Sequence, residues 1–444
     1  MKVKIGLLFS LFFIGILATE AQEKTKLSLQ EAINLGLSQS SEVHLADIKV
    51  ATKKLELETM KNNRYPNVKV SGQFLKLGNA KINSNLNNGN SSNSGGSPAK
   101  IDQFTLGQIN ANLPVFSGFK LKYNIVASEN LLLSEQAKAE YSKEEVAMQI
   151  IEYYANLYRA QKSVDLLTEN LKSAKQRVVD FTNLEKNEII ARNDLLKAQL
   201  QESKVQLSLD EAYKNVSVYN YYLTTILKLS SDYRIEIDEN QFGNNEPINL
   251  INSDETAFKN RKDLEAIHFL QRSKENEIKV AKSAYYPSFT FIGGYAYLDL
   301  KNAITVSNAM NYGVGLSYDL TSIFKNGANV KAAKSRALET HEAETILTDK
   351  IKIQMQLAIE NYNLALKQNL VYKLGIDQAS ENYRIVKDKY DNGLSNTTDL
   401  LEADVEQLNT KINYAFSRAN IMLKYYEMQS ASGQLLSSFK ITKN

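Results

Sequence analysis

The sequence predicts an α+β chain in which very long helices are interrupted by pairs of short amphipathic strands, the whole pattern occurring twice. Three observations carry this reading. The first is duplication. A helix-like run ends in Arg64-Tyr65-Pro66 and gives way to an alternating segment from Asn67 to Phe74; another ends in Tyr285-Tyr286-Pro287 and gives way to Ser288-Phe289-Thr290-Phe291. The second is an unbroken 4,3,4,3 spacing of apolar residues from Val146 through Ile150, Tyr153, Leu157 and onward to Phe181. A sustained 3.5-residue period asks for a supercoiled partner helix. The third is strand alternation with one apolar and one polar face.

The elements follow in order. Ser28-Leu29-Gln30-Glu31 has capping-box spacing and starts a helix that runs to about Asn63, before Pro66. A strand over about 67–77 puts Val68, Val70 and Phe74 on one face and Lys69, Ser71 and Gln73 on the other. An Asn/Ser/Gly loop follows over 79–100, with too few apolar residues to order itself. A second strand over about 103–113 carries Ile109, Ala111 and Leu113, and Pro114 ends it. Helices over about 120–187 and 194–229 come next, then a polar linker over 230–253. The second copy repeats the order: a helix over 254–284, strands over 288–300 and 311–320, a Phe324-to-Gly327 turn, and helices over 328–391 and 397–431. Gly293-Gly294 reads as close strand packing.

Composition narrows the function classes. Residues 1–21 have the charged start, apolar stretch and small-x-small site of a secretory signal. Without them the formal charge of +3 falls to +2, so a nucleic-acid or other polyanion partner is not expected. The chain has no cysteine, which removes both disulfides and a lipid-modified N-terminus. His44, His268 and His341 lie far apart without metal-ligand spacing. No Ser/His/Asp order, phosphate loop or paired-acid arrangement stands out, so neither an enzyme nor a cofactor is expected.

Four amphipathic strands need their edges closed. Each is about ten residues long, the length that crosses a bilayer when tilted. Apolar outside and polar inside is the pattern of a membrane barrel, yet four strands fall short of the smallest barrel, of about eight. Cyclic association of identical chains would supply the rest. The alternation alone also allows a soluble sandwich with one buried face.

The residues resemble the outer membrane efflux protein family, the TolC-like channel-tunnels. The resemblance rests on Tyr286-Pro287-Ser288-Phe289, on Pro114-Val115-Phe116-Ser117-Gly118, and on Tyr390-Asp391-Asn392-Gly393 with Asp399-Leu400-Leu401-Glu402-Ala403. It covers the mature chain in two tandem copies, 22–240 and 241–444. It implies a homotrimer in the outer membrane with a large periplasmic portion. Long coiled-coil helices would form a periplasmic α-barrel, and four transmembrane strands per protomer would complete a 12-stranded barrel. A girdle would include 230–253 and the tail after Ala431. The implied partners are a periplasmic adaptor (membrane fusion) protein, an inner-membrane pump and outer-membrane lipid. The implied role is a passive exit duct in tripartite efflux or type I secretion. An exported coiled-coil adaptor or structural protein without a pore is the alternative class.

The resemblance also implies site residues. Asp399 and Glu402, three apart on one helix face, line the periplasmic constriction together with Asp194, which opens the matching helix of the first copy. Acids also favour a helix start through the macrodipole, an ordinary structural reason for Asp399. Tyr390 with Asp194 forms a tip latch, and Gly393 makes the tip turn. Three departures from the family pattern stand out: Glu188 occupies the place that matches Gly393, the second copy lacks a proline before its Phe324-to-Gly327 turn, and Ser395 stands where some relatives carry a basic residue.

Overall fold

The computed structural model describes residues 25–81, 100–242 and 254–439. The signal segment, most of the loop 79–100, and residues 243–253 lie outside the described residues. The element order is β1 (Thr25–Leu27), α1 (Leu29–Gln39), α2 (Ser41–Asn62), β2 (Asn67–Lys81), β3 (Lys100–Ser117), α3 (Lys120–Lys186), α4 (Arg192–Ile226) and β4 (Ile235–Ile237). Then come α5 (Asp254–Asn260), α6 (Lys262–Ser283), β5 (Ser288–Leu300), β6 (Ile304–Ser317), α7 (Ser322–Asp391), α8 (Thr397–Ala431) and α9 (Leu435–Ser438).

The long-helix expectation is met by α3, of 67 residues, and α7, of 70. At 1.5 Å per residue each spans roughly 100 Å. The first expected helix is two. Ser40 breaks it in extended conformation, and its hydroxyl accepts from the Glu42 amide to cap α2. Arg261 breaks the matching helix of the second copy between α5 and α6. The capping box at Ser28 and Glu31 forms as its spacing predicts.

β2, β3, β5 and β6 form one antiparallel meander, so the two copies join at the β3–β5 pair. Its register aligns one apolar face across all four strands. Val70 stands opposite Ile109, which faces Tyr295, which faces Met310. Leu113 likewise faces Phe291, which faces Val314. The opposite face carries Lys69 beside Asn110 and Ser71 beside Gln108. Pro114 does not end β3, as the sequence suggested. The strand accommodates it at a bulge around Val115, and the extra residue brings Phe116 opposite Phe289 on the apolar face. Gly294 earns its place: a Cβ there would stand 2.7 Å from the Ile109 carbonyl oxygen. Gly293 has no such neighbour.

The main core gathers around the middle of α3. Ile150, Tyr154, Leu157 and Tyr158 meet Ile33 of α1, Leu223 of α4, Ile235 and Ile237 of β4, and Leu435 of α9. β1 pairs in parallel with β4, and Tyr158 stacks on Phe242 at 3.9 Å. The Tyr154 hydroxyl donates to the Leu27 carbonyl. The described part of the 230–253 linker and the segment after Ala431 therefore wrap the same stretch of α3.

α7 begins six residues earlier than the sequence suggested. Phe324 and Gly327 lie inside the helix, and the turn sits at Asp319–Thr321. There Asp319 Oδ1 accepts from the Thr321 amide at 2.9 Å. An isolated glycine costs a helix about 1 kcal/mol, which a 70-residue helix tolerates.

Candidate functional site: the tip of the helical hairpins

α3 and α4 form one hairpin, and α7 and α8 form the other. Their turns are built alike. Residue 188 in the first and 393 in the second adopts positive φ, 61° for Glu188 and 72° for Gly393. The Ile189 amide donates to the Leu184 carbonyl, and the Leu394 amide donates to the Lys389 carbonyl. Asn187 and Asn392 each return a side-chain amide to the carbonyl four residues back, both at 2.7 Å. The departure at Glu188 is thus conformational strain without a change of turn. Both turns present an apolar side chain to the outside: Ile189 is 67 % exposed and Leu394 is 78 % exposed.

Beneath the turns a small core ties the hairpins together. Phe181 of α3, Leu195 and Ala198 of α4, and Leu400 of α8 are buried, with Val386 and Tyr390 of α7 against them. The Tyr390 ring stacks on Phe181 at 5.8 Å. At the start of α8, Asn396 caps the helix by accepting from the Asp399 amide at 3.0 Å. Ser395 donates to the Asp399 carboxylate, also at 3.0 Å. Asp399 and Glu402 are both exposed on the first turns of α8. Asp194 lies on the first turn of α4, with the Lys197 ammonium 3.6 Å from its carboxylate.

The structure brings these residues to one end of the molecule, but it does not join Tyr390 to Asp194 within the protomer. The tyrosine ring is committed to the tip core, and Asp194 faces Lys197. The cross-link between the copies is instead Lys197, whose ammonium donates to Thr398 Oγ1 at 3.0 Å.

A second link was missed at the level of sequence. Farther up the hairpins, Arg177 Nη1 lies 2.9 Å from Asp404 Oδ2, with both side chains buried. Arg177 Nη2 donates to the Tyr383 hydroxyl and Asn170 donates to Asp404. Burial lowers the affinity of Arg177 for its proton, but the bond to Asp404 and that carboxylate's charge outweigh it and hold the guanidinium charged. A signal was present. Arg177 lies three after Ala174 and four before Phe181, and Asp404 lies three after Leu401 and four before Leu408. Two opposite charges at apolar-stripe spacing point to a buried pair.

Among the described residues no cluster of His, Cys, Asp and Glu could hold a metal ion. Among them also, no helix is long and apolar enough to cross a membrane.

Residues 255–434 match the family model for the outer membrane efflux protein. That stretch lies in the second copy, from α5 to the start of α9. The fold agrees over both copies. The chain is similar to CmeC of Campylobacter jejuni, with a TM-score of 0.77 at 19 % identity over 92 % of this chain and 86 % of that one. It is similar to VceC of Vibrio cholerae, at 0.76 and 13 % over 91 % and 96 %. It is similar to CusC, at 0.79 and 15 % over 91 % and 92 %. No curated protein matches in sequence. At 13–19 % identity the likeness to these three proteins is one of fold.

Proposed function

We propose that three copies of this chain close their sheets into one 12-stranded barrel and their helices into a periplasmic tunnel. The trimer would serve as the passive exit duct of a tripartite efflux or type I secretion assembly. The observation that carries this reading is the sheet. Its apolar face is continuous over four strands, its other face is polar, and among the described residues no further strand pairs with the outer edges of β2 and β6. Open, exposed edges of this kind are closed by further strands. The helices support the same assembly, since α7 leaves Ile353, Leu357, Leu364 and Val371 exposed along its length. A row of exposed apolar residues asks for a neighbouring helix.

The tip would be the gate. Three-fold symmetry turns Asp399 and Glu402 each into a ring of three, with Asp194 close by. Such a ring favours cations. Tyr390, through Phe181, and Asp194, through Lys197, hold the two hairpins in the closed position, and Gly393 with Glu188 shapes the turns. The exposed Ile189 and Leu394 offer the adaptor protein an apolar tip surface, and the inner-membrane pump would act through that adaptor.

The test uses purified mature protein. A detergent-requiring trimer that conducts in planar bilayers is expected, with cation preference lowered in the Asp399→Asn, Glu402→Gln double variant. A monodisperse monomer in buffer without detergent would sink the barrel, and unchanged selectivity in the double variant would sink the gate.

A further inference from the structure

Where the sheet meets the helices, the apolar face ends in aromatics. Phe116 lies 6.1 Å from Phe289, and Phe119 packs edge-on to Phe116 at 5.2 Å. Tyr65 and Tyr286, the residues before the two strand-leading prolines, are exposed at the same junction. Amphipathic rings at the end of an apolar band mark a membrane–water boundary.

A concavity of about 400 Å³ opens beside Phe116 and Phe119. Its lining includes Arg64, Lys120 and Lys122, all exposed. Among the described residues none of the three has a carboxylate within ion-pair distance, although Lys61 nearby is matched by Glu129 at 3.1 Å. Three unmatched cations would repel one another unless an anion lies between them. The chain as a whole is nearly neutral, so this local excess is not a general basic character.

We propose that this concavity binds the phosphate of an anionic phospholipid from the leaflet facing the helices. The inference rests on the barrel reading above. The occupant follows from charge complementarity and from continuity with the lipid-facing strands. The cations take the phosphate, and the acyl chains descend along Phe116 and Phe289. A soluble anion would satisfy the cations but leave the exposed rings in water. Each cation near an anionic lipid surface contributes enough that three together should change affinity on the order of 100-fold. The arrangement would fix the depth of the trimer in the bilayer and tether its helical tunnel to the inner rim.

The experiment uses the full-length trimer in mild detergent, probed with phosphatidylglycerol, phosphatidylcholine or inorganic phosphate and read by native mass spectrometry. The expected result is retention of phosphatidylglycerol that weakens with salt. In the Arg64→Gln, Lys120→Gln, Lys122→Gln variant it falls on the order of 100-fold, with trimer and conductance unchanged. Three results overturn the proposal. They are equal retention of phosphatidylcholine, displacement by millimolar inorganic phosphate, or a variant that binds like the parent. A conducting trimer with any of these sinks this proposal alone, whereas a water-soluble monomer sinks the channel reading with it.

Discussion

Arg177 and Asp404 form a buried ion pair, at 2.9 Å, between the long helix of the first copy and the last long helix of the second. The hydroxyl of Tyr383, on the other long helix, accepts from the same guanidinium at 3.3 Å. Three helices from both copies therefore meet at one charge.

Removing one partner leaves the other charged and buried, which costs about 3–5 kcal/mol. Arg177→Met and Asp404→Leu should each destabilise the protein by that order. The double variant should recover most of the loss, because an apolar pair of similar volume is often neutral. Denaturation of the four proteins in a double-mutant cycle measures the coupling, and additive losses would show that the pair does not act as a unit.

At the first tip turn, Glu188 is held at φ 61°, where the matching residue is Gly393. A left-handed conformation costs a residue with a Cβ about 1–2 kcal/mol. Glu188→Gly should therefore stabilise the protein by about 0.5–1 kcal/mol, since glycine's looser unfolded chain takes back part of the gain. Gly393→Ala should lose a similar amount. Melting temperatures of the two variants should move in opposite directions.

Glu144 of α3 is buried near Arg261 and Asp263. Burial pushes its carboxyl up to about 7, and the charge of Arg261 opposes the shift without cancelling it. The folded protein keeps this proton while the unfolded chain releases it near the ordinary value of 4.5. Stability is therefore lost as pH rises from about 4.5 to 7, and is lowest with respect to this group above 7. Glu144→Gln should match the parent near pH 4 and exceed it at pH 8. Thermal denaturation at the two pH values decides it; an equal difference at both would rule out titration of Glu144 as the cause.

Lys197 is the polar link between the two hairpin tips, and Asp194 lies on its other side. An exposed link of this kind is worth only about 1 kcal/mol, so Lys197→Met should leave melting nearly unchanged. Resting conductance in planar bilayers should nonetheless rise, because the two tips lose their direct bond. Unchanged conductance would move the closing contact elsewhere.

Much of the fold was legible because its signals are local. α8 spans Thr397–Ala431 as its pattern predicted, with an Asn396 cap at one end and an unbroken stripe to the other. Errors fell where a local signal admits two geometries. Phe324 to Gly327 reads as a turn by likeness to the first copy, yet the Asp319–Thr321 cap starts the helix earlier. Pro114 reads as a strand end, yet a bulge absorbs it. The break at Ser40 was also legible, since Ser40 precedes Ser41-Glu42 in the manner of a helix cap, but the longer apolar pattern obscured it.

By itself the sequence determined the duplicated pattern, the extents of α3 and α8, the two-faced strands and the acids at the start of the last long helix. These depend on spacing within one segment, where side-chain period and capping chemistry act over a few residues. Only the tertiary structure decided which segments meet. It joined the copies at β3 and β5, set the register that makes the apolar face continuous, and paired Arg177 with Asp404 across 227 positions. It also separated Tyr390 from Asp194, because an aromatic ring at the tip gains more from burial against Phe181 than from an exposed carboxylate.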